Sequence, residues 1–300
     1  METEPWFVEE SGMNIGIIGA GKLGNALAVA MDKFGFGISG IYSRSVESCQ
    51  SLCDKLGLEM NNCLDTVIIK SDVIFLCVPD NDIDIMASRI ATCFKSQSVS
   101  GKVFFHLSGA LSSEALKPLE DLGAYTGSFH PIQTFADREN GWEKLPGCFF
   151  GFEGCDEAQK CAQKIADKLN SKIVFIKKEQ KTLYHAAACM ISNYTVTLFY
   201  IMHQMLLKSG IEEDVAVNAF MPLLKNTVDN IEKLGYINAL TGPISRGDHK
   251  VVGQHIKSLS CEIPELTDIY RLLGKETIDI AVKKGNIKED DVLRLNGVIG

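Results

Sequence analysis

Short, continuous runs of apolar residues recur through the first part of the sequence, with helical patterns between them. The runs lie within NIGIIGAG, GISGIYSRS, DVIFLCVPD and KVFFHLSG, and shorter candidates follow at AYTGSFH, CFFGFEG and KIVFIK. Leu23, Leu27 and Met31 stand four apart after the first run, which predicts a helix. Continuous rather than alternating runs are typical of strands buried on both faces of a parallel sheet. The pattern predicts an α/β fold with a doubly wound sheet.

After residue 178 the pattern becomes helical throughout. From Lys181 to Lys208 there is no proline or glycine, so we expect one long helix ending near Gly210. Further helical patterns cover 212–234, 248–259 and 264–283, with a last segment after 286. We therefore expect two domains, an α/β domain over 1–178 and an all-α C-terminal domain over 179–300.

Composition narrows the classes of protein that this chain can be. With 38 acidic against 30 basic residues the net charge is -8, which argues against a nucleic-acid partner. The ten cysteines include no C-x-x-C pair, so we expect neither a metal site nor disulfides, and a reducing, cytoplasmic setting. The acidic first dozen residues lack the order of a signal peptide and look like a loose tail. Polar residues interrupt the longest apolar stretch, 194–207, so no membrane span is expected.

A glycine cluster follows the first predicted strand and opens a helix. Gly19, Gly21 and Gly24 form G-x-G-x-x-G, with Lys22 and Leu23 inside it. In that context the first glycine permits a tight turn, the second lets backbone approach a pyrophosphate, and the third lets helix and strand pack closely. We predict a Rossmann-type dinucleotide site here, the alternative being a glycine-rich turn without a ligand.

The end of the second strand distinguishes between dinucleotides. NAD-binding chains usually place a carboxylate there for the ribose 2′-hydroxyl, whereas this chain has Ser43, Arg44 and Ser45. A guanidinium flanked by hydroxyls suits a 2′-phosphate, so we predict NADP. The alternative is a solvated loop in which Ser45 caps the next helix.

Two further strand ends lie at the carboxyl edge, where open α/β sheets bind ligands. Val78 and Pro79 follow one buried run, and His106 and Ser108 follow the next. We assign Val78, Pro79 and His106 to the cofactor site and Ser108 to the catalytic site. Pro79 also suits a turn, and the histidine and serine also suit a structural role.

Two candidates for substrate chemistry come from loops. His130, in HPIQTF after another strand, titrates near neutrality and suits proton donation to a carbonyl oxygen that receives hydride. A strand-end histidine bonded to backbone is the alternative. Arg246, in LTGPISRGD, suits a substrate carboxylate, unless it and Asp248 only cap helix ends.

The predicted long helix carries a polar stripe among apolar residues. His185 and Ser192 are seven apart, with Cys189 between them and Asn193 one position further. We take His185 and Asn193 as catalytic candidates, while hydrogen bonds to neighbouring helices would explain them equally.

Together HLSGALSSEAL, GSFHPIQTFA, YHAAACMISNY and LTGPISRGD make the chain resemble the Rossmann-like reductases whose C-terminal domain was long catalogued as of unknown function. The wider superfamily includes ketopantoate reductases, pyrroline-5-carboxylate reductases, hydroxyisobutyrate dehydrogenases and deazaflavin-dependent NADP reductases. The resemblance covers nearly the whole chain from about Met13. It implies a nucleotide domain, a helical dimerisation domain and a homodimer that binds a small substrate.

The resemblance also bears on mechanism. Ketopantoate reductases and hydroxyacid dehydrogenases use a lysine on the first long helix and an asparagine one or two turns later. Asn193 is carried over as the orienting residue, but we find no lysine in the corresponding stretch of this helix, so the acid is His185, His130, His106 or a water. The leading expectation is NADPH-dependent reduction of a small 2-oxo acid, 2-dehydropantoate of pantothenate biosynthesis. The alternatives are reduction of a cyclic imine or a deazaflavin, and a non-catalytic NADP-binding sensor.

Overall fold

The computed structural model describes residues 12–300, so the tail expected at the N-terminus lies outside the described residues. The chain forms two compact units, the first ending at Ser192 and the second covering Asn193–Gly300. This division falls later than the expected boundary near residue 178. The difference arises because the helix that begins at Lys181 packs with the sheet unit through Lys181 and Tyr184.

From residue 12 to Ser192, the first unit contains a seven-stranded sheet and eight α-helices. The strands are β1 Asn14–Ile18, β2 Gly37–Tyr42, β3 Val73–Leu76, β4 Val103–His106, β5 Tyr125–Pro131, β6 Phe149–Gly154 and β7 Lys172–Phe175. The helices are α1 Lys22–Lys33, α2 Val46–Leu56, α3 Leu64–Lys70, α4 Asp80–Cys93, α5 Ser96–Val99, α6 Lys117–Glu120, α7 Asp156–Lys168 and α8 Lys181–Ile191. The predicted strands and the helix predicted after the first apolar run are confirmed.

The sheet has the order β2-β1-β3-β4-β5-β6-β7. The first five of these strands are parallel, β6 is antiparallel to β5, and β7 is parallel to β6. Every residue of β3 and β4 is buried, and one apolar core lies on each face of the sheet. The predicted doubly wound α/β fold is confirmed, and the carboxyl ends of β1 to β5 meet at one edge.

The second unit is all-helical, as predicted. Its helices are α9 Asn193–Lys208, α10 Glu213–Ala239, α11 His249–Glu262, α12 Thr267–Lys284 and α13 Glu289–Ile299. Helix α10 bends at Gly235, where φ is 76°. Ile244, Ile278 and Leu295 belong to the core of this unit.

The expectation of one helix over 181–208 is wrong. At Ser192 the backbone has φ -97° and ψ -68°, so α8 ends there and α9 begins at Asn193. The two halves belong to different units, and packing of each half with its own unit overrides a sequence without a helix breaker. His185 and Asn193 therefore do not share a helical stripe.

From residue 12 onward, no helix combines the length and the apolar character that crossing a membrane requires.

Candidate active site

The glycine cluster adopts the backbone that its sequence predicts. Gly19 has φ 110°, and a Cβ there would lie 2.3 Å from the Cys77 carbonyl oxygen. A Cβ on Gly24 would lie 1.9 Å from the Gly19 carbonyl oxygen, so the third glycine is needed for close packing of helix and loop. A Cβ on Gly21 would meet nothing within 4 Å, which leaves open space beside the backbone.

The start of α1 fits an anionic ligand. Gly21 is its N-cap and supplies no side-chain cap, and the first turn holds no acidic residue. The N–H groups of this turn are therefore free of side-chain acceptors at the positive end of the helix dipole. Lys22 is exposed and Leu23 half-buried beside them. These features suit a pyrophosphate, and the contact itself stays a prediction.

The three residues after β2 have separate roles. The backbone of Ser43 is held by the Asn62 amide, at 2.8 Å from its N–H and 2.9 Å from its carbonyl. The Ser45 hydroxyl accepts from the N–H of Ser48 at 3.0 Å, so the capping alternative describes this residue. The exposed Arg44 pairs with Asp82 at 3.0 Å and is the available group for a 2′-phosphate.

One residue beside the glycine loop was missed from the sequence. Arg138, in the segment after β5, donates from Nη2 to the carbonyl oxygens of Ala20 at 3.2 Å and Ser48 at 3.4 Å. It therefore ties the glycine loop to α2. Its position in the polar stretch ADREN gave no signal of a contact more than a hundred residues away.

At the ends of β3 and β4, the proposed cofactor residues differ in availability. Val78 is half-buried and Pro79 begins α4 as its N-cap. His106 is fully buried, its Nδ1 accepts from the Ser108 N–H at 3.2 Å, and its Nε2 bonds the Ser112 carbonyl at 3.0 Å. Burial lowers the pKa of His106 to about 4, so it is neutral at pH 7. Both ring nitrogens have partners within the chain, which favours the structural alternative, and the assignment of this histidine to the cofactor stays a prediction.

Ser108 also has a structural role. Its hydroxyl donates to Asp80 Oδ2 at 2.7 Å and accepts from the N–H groups of Ala110 and Leu111 at 3.1 and 3.0 Å. The hydroxyl closes the turn after β4 instead of facing a substrate. These bonds favour the structural alternative, and the assignment of Ser108 as a catalytic residue stays a prediction.

Two histidines converge on this turn. A Cβ on Gly109 would lie 3.0 Å from His130 Nε2 and 2.6 Å from His185 Cδ2, so only glycine leaves room for both rings. The ring centroids of the two histidines are 6.1 Å apart. His130 Nδ1 is 2.9 Å from the Tyr184 hydroxyl, a side-chain partner that the backbone-bonded alternative did not include. Gly109, His130 and His185 thus form one cluster at the carboxyl edge.

A lysine lies within this cluster, which corrects the statement that the helix carries none. Lys181, the first residue of α8, is 1% exposed. Its Nζ donates to Ser128 Oγ at 2.5 Å and to the Ser108 carbonyl at 3.2 Å. Its place four residues before His185, on the same helical face, is a signal that the sequence contains.

Burial and charge set the protonation of the cluster. Burial lowers the pKa of Lys181 to about 8, so the ammonium form predominates at pH 7. Burial, followed by the electrostatic effects of Lys181 and His185, lowers the pKa of His130 to about 4. Burial raises the pKa of Tyr184 to about 12. At pH 7 the cluster therefore holds a neutral imidazole, a protonated phenol and an ammonium.

The remaining predicted residues lie around the cluster or in the second unit. The Cys189 Sγ is 3.9 Å from His185 Nδ1, one helical turn further along α8. Asn193 begins α9 and Arg246 ends a 3-10 turn, both exposed and both in the second unit. Asp248 caps α11 by accepting from the Val251 N–H, as one alternative expected. Assigning Asn193 and Arg246 to a substrate stays a prediction.

Two known domain families match the chain. A Rossmann-like domain matches residues 3–131, and a domain of unknown function (DUF2520) matches residues 148–277. No curated protein matches the sequence.

Solved structures resemble the chain over most of its length. A Bacteroides fragilis protein described as a candidate NADP oxidoreductase is 25% identical over 90% of this chain and 100% of its own, with a TM-score of 0.72. Protein TM1727 of Thermotoga maritima is 28% identical over 90% and 99%, with a TM-score of 0.68. An imine reductase from Myxococcus stipitatus in complex with NADP⁺ is 20% identical over 94% and 98%, with a TM-score of 0.60, which is a likeness of fold alone.

The glycine loop, the sheet order and the helical C-terminal unit define a two-unit protein with a Rossmann-like α/β unit. The Rossmann-like domain and the C-terminal domain of unknown function follow one another along the chain in the order that the resemblance of its motifs implies. Pyrroline-5-carboxylate reductases, members of the superfamily named above, share the fold.

Proposed function

We propose that the chain is an NADP(H)-dependent reductase of a small 2-oxo acid, with 2-dehydropantoate as the first substrate to test. The observation that carries the proposal is the convergence of His130 and His185 on Gly109, at the sheet edge that also holds the glycine loop. Ligands of open α/β sheets bind at that edge. The NADP oxidoreductase description of the Bacteroides fragilis protein supports the cofactor.

The cofactor site uses residues whose backbone or charge is available. The N–H groups that follow Gly21 would bind the pyrophosphate, and Arg44 would bind the 2′-phosphate. When bound, NADPH supplies the hydride that reduces the substrate carbon. The chain's own residues must then orient the substrate and deliver one proton to its oxygen.

His130 is the residue that we propose to contact the substrate oxygen. The Tyr184 phenol keeps its proton at pH 7, and we take it as the donor in the hydrogen bond to Nδ1, an arrangement that puts the ring proton of His130 on Nε2, beside Gly109. A neutral imidazole can then donate from Nε2 to a carbonyl oxygen. As that proton passes to the oxygen, Tyr184 supplies a proton to Nδ1, and the nearby Lys181 ammonium stabilises the negative charge that develops.

The positive charge of Lys181 favours a substrate with a carbonyl group over one that is a protonated imine. An ammonium within the cluster attracts both a substrate carboxylate and the developing alkoxide, and repels an iminium. Arg246 and Asn193 remain our predictions for further contacts with the carboxylate.

Substrate and mechanism can be tested by following NADPH oxidation at 340 nm with 2-dehydropantoate, other small 2-oxo acids and a cyclic imine. We expect turnover with a 2-oxo acid. Tyr184→Phe should lower kcat about 10²-fold without changing NADPH affinity, because His130 loses the partner that fixes its tautomer. Tyr270→Phe is the matched control, since it removes a hydroxyl 2.7 Å from His255 Nδ1 in the second unit. A folded, NADPH-binding protein that turns over only the imine, or none of these compounds, would contradict the proposed substrate.

We also propose a homodimer through the second unit. Exposed apolar side chains follow α9 and the greater part of α10, including Val196, Tyr200, Leu223, Val228 and Leu234. Rows of this kind usually mark a surface that another protein covers. A second copy of this chain is the partner that we propose.

A further inference from the structure

An ion pair lies across the end of β1, where the glycine loop begins. Arg44 follows β2, Asp82 lies in the first turn of α4 after β3, and β1 lies between these two strands in the sheet. The guanidinium Nη2 is 3.0 Å from Asp82 Oδ2. The bond thus joins the two loops that flank the end of β1.

The two partners differ in how firmly they are held. The Arg44 side chain is 73% exposed, whereas that of Asp82 is 32% exposed. The Asp82 N–H bonds the Pro79 carbonyl at 2.8 Å, which holds the residue in the helical turn. Arg89, further along α4, also donates to the Tyr42 hydroxyl at 3.0 Å and so joins α4 to the end of β2. The carboxylate of Asp82 is therefore the fixed group, and the guanidinium is the one that can turn to a ligand.

The other polar groups at the end of β2 are occupied locally. The Ser45 hydroxyl caps α2 and also donates to Glu47 Oε2 at 2.9 Å. Glu47 thus has its own partner on α2. Asp82 is the carboxylate that faces Arg44, and it comes from a different strand end than the one where NAD-binding chains usually carry theirs.

We propose that Asp82 is a specificity-determining residue that selects between dinucleotides with and without a 2′-phosphate at the NADP site proposed above. A 2′-phosphate would share Arg44 with Asp82 and meet the like charge of that carboxylate. A free 2′-hydroxyl would instead find in Asp82 the acceptor that β2 lacks. Asp82 therefore weakens NADPH binding, strengthens NADH binding, and allows the chain to bind both.

The test is direct titration of NADPH and NADH by nucleotide fluorescence, which requires no substrate. Asp82→Asn should tighten the binding of NADPH about fivefold and weaken the binding of NADH about fivefold. This is the size of effect expected when one partly screened charge pair changes. Arg44→Ala should weaken NADPH at least tenfold and leave NADH nearly unchanged. Asp84→Asn is the matched control, because it makes the same charge change on an exposed residue of α4 whose carboxylate accepts from the adjacent Ile85 N–H.

The outcomes separate this inference from the proposed function on which it rests. The inference would be supported if the affinities for NADPH and NADH change in opposite directions in Asp82→Asn and do not do so in Asp84→Asn. The inference alone would be overturned if the protein binds NADPH tightly and Asp82→Asn leaves the ratio of NADPH to NADH affinity unchanged. The same holds if Asp82→Asn changes that ratio no more than Asp84→Asn does. A wild-type protein that binds neither nucleotide would overturn both.

Discussion

Gly21 and Gly24 stand three residues apart on the same loop, yet an added methyl group meets different surroundings at each. At Gly24 the new Cβ would overlap the backbone of Gly19, and backbone cannot move aside cheaply. At Gly21 the Cβ enters open space, and φ of -71° suits any residue. A substitution at Gly24 therefore tests packing, and a substitution at Gly21 tests the approach of a ligand.

We therefore expect the two alanine variants to fail in different ways. Gly24→Ala should lower the free energy of unfolding by about 2 kcal/mol or more, because helix and loop must separate. Gly21→Ala should melt like the wild type but bind NADPH at least tenfold more weakly, because the methyl group occupies the path of the pyrophosphate. Thermal melts and nucleotide titration measure the two effects. Normal NADPH binding by Gly21→Ala would argue against the pyrophosphate site.

At the scale of elements, the position of α8 depends on a glycine in a neighbouring strand. A Cβ on Gly151, in the middle of β6, would lie 2.6 Å from the Tyr184 hydroxyl and 2.7 Å from Ile176 Cδ1. The strand therefore lacks a side chain at the point where Tyr184 reaches His130. The helix and the strand together fix the tautomer that we propose for His130.

Gly151→Ala should displace Tyr184 and so reproduce the loss of kcat expected for Tyr184→Phe, with NADPH affinity unchanged. The double variant should have a kcat only slightly lower than that of either single variant, since both substitutions remove the same hydrogen bond. Gly297→Ala serves as the control, because its Cβ would meet nothing within 4 Å in α13. Fully additive losses of kcat in the double variant would show that Tyr184 and Gly151 act separately.

The types of the secondary-structure elements were predictable from the sequence, because the local sequence patterns and the burial of the side chains favour the same structure. The continuous apolar runs of β3 and β4 are buried on both faces, and the three glycines have the backbone that their spacing predicts. The break at Ser192 was not predictable, since it depends on which unit each half of the helix joins. Lys181 was missed for a related reason, because its burial depends on Ser108 and Ser128, which lie far from it in the sequence.

At the scale of the whole molecule, the buried His106 and the half-buried His130 couple stability to pH. The pKa values of His106 and His130 are lowered from 6.5 to about 4. The unfolded chain therefore binds more protons than the native chain between these values, and stability falls as pH drops through that window. Each histidine contributes at most about 3 kcal/mol to this loss.

His130→Asn should therefore lose less stability than the wild type between pH 7 and pH 4.5, as measured by urea unfolding. His249→Asn, which removes a histidine from the second unit, should keep the acid sensitivity of the wild type. An equal loss in His130→Asn and the wild type would mean that His130 takes up its proton without unfolding.

The exposed apolar side chains of α9 and α10 lead to a prediction about the oligomeric state of the protein. Leu223 on α10 is 61% exposed, and a glutamate there would place a charge in the surface that we expect a second copy to cover. Asp229 is exposed on the same helix and lies about 100° or more round from Leu223, Val228 and Leu234, so Asp229→Lys makes a larger charge change away from that surface. We expect light scattering to give a dimer mass for the wild type and Asp229→Lys, and a monomer mass for Leu223→Glu at micromolar concentration. Because Leu223 is exposed, the helical circular dichroism should persist in the monomer, which separates loss of assembly from loss of folding. A monomeric wild-type protein would contradict the proposed homodimer.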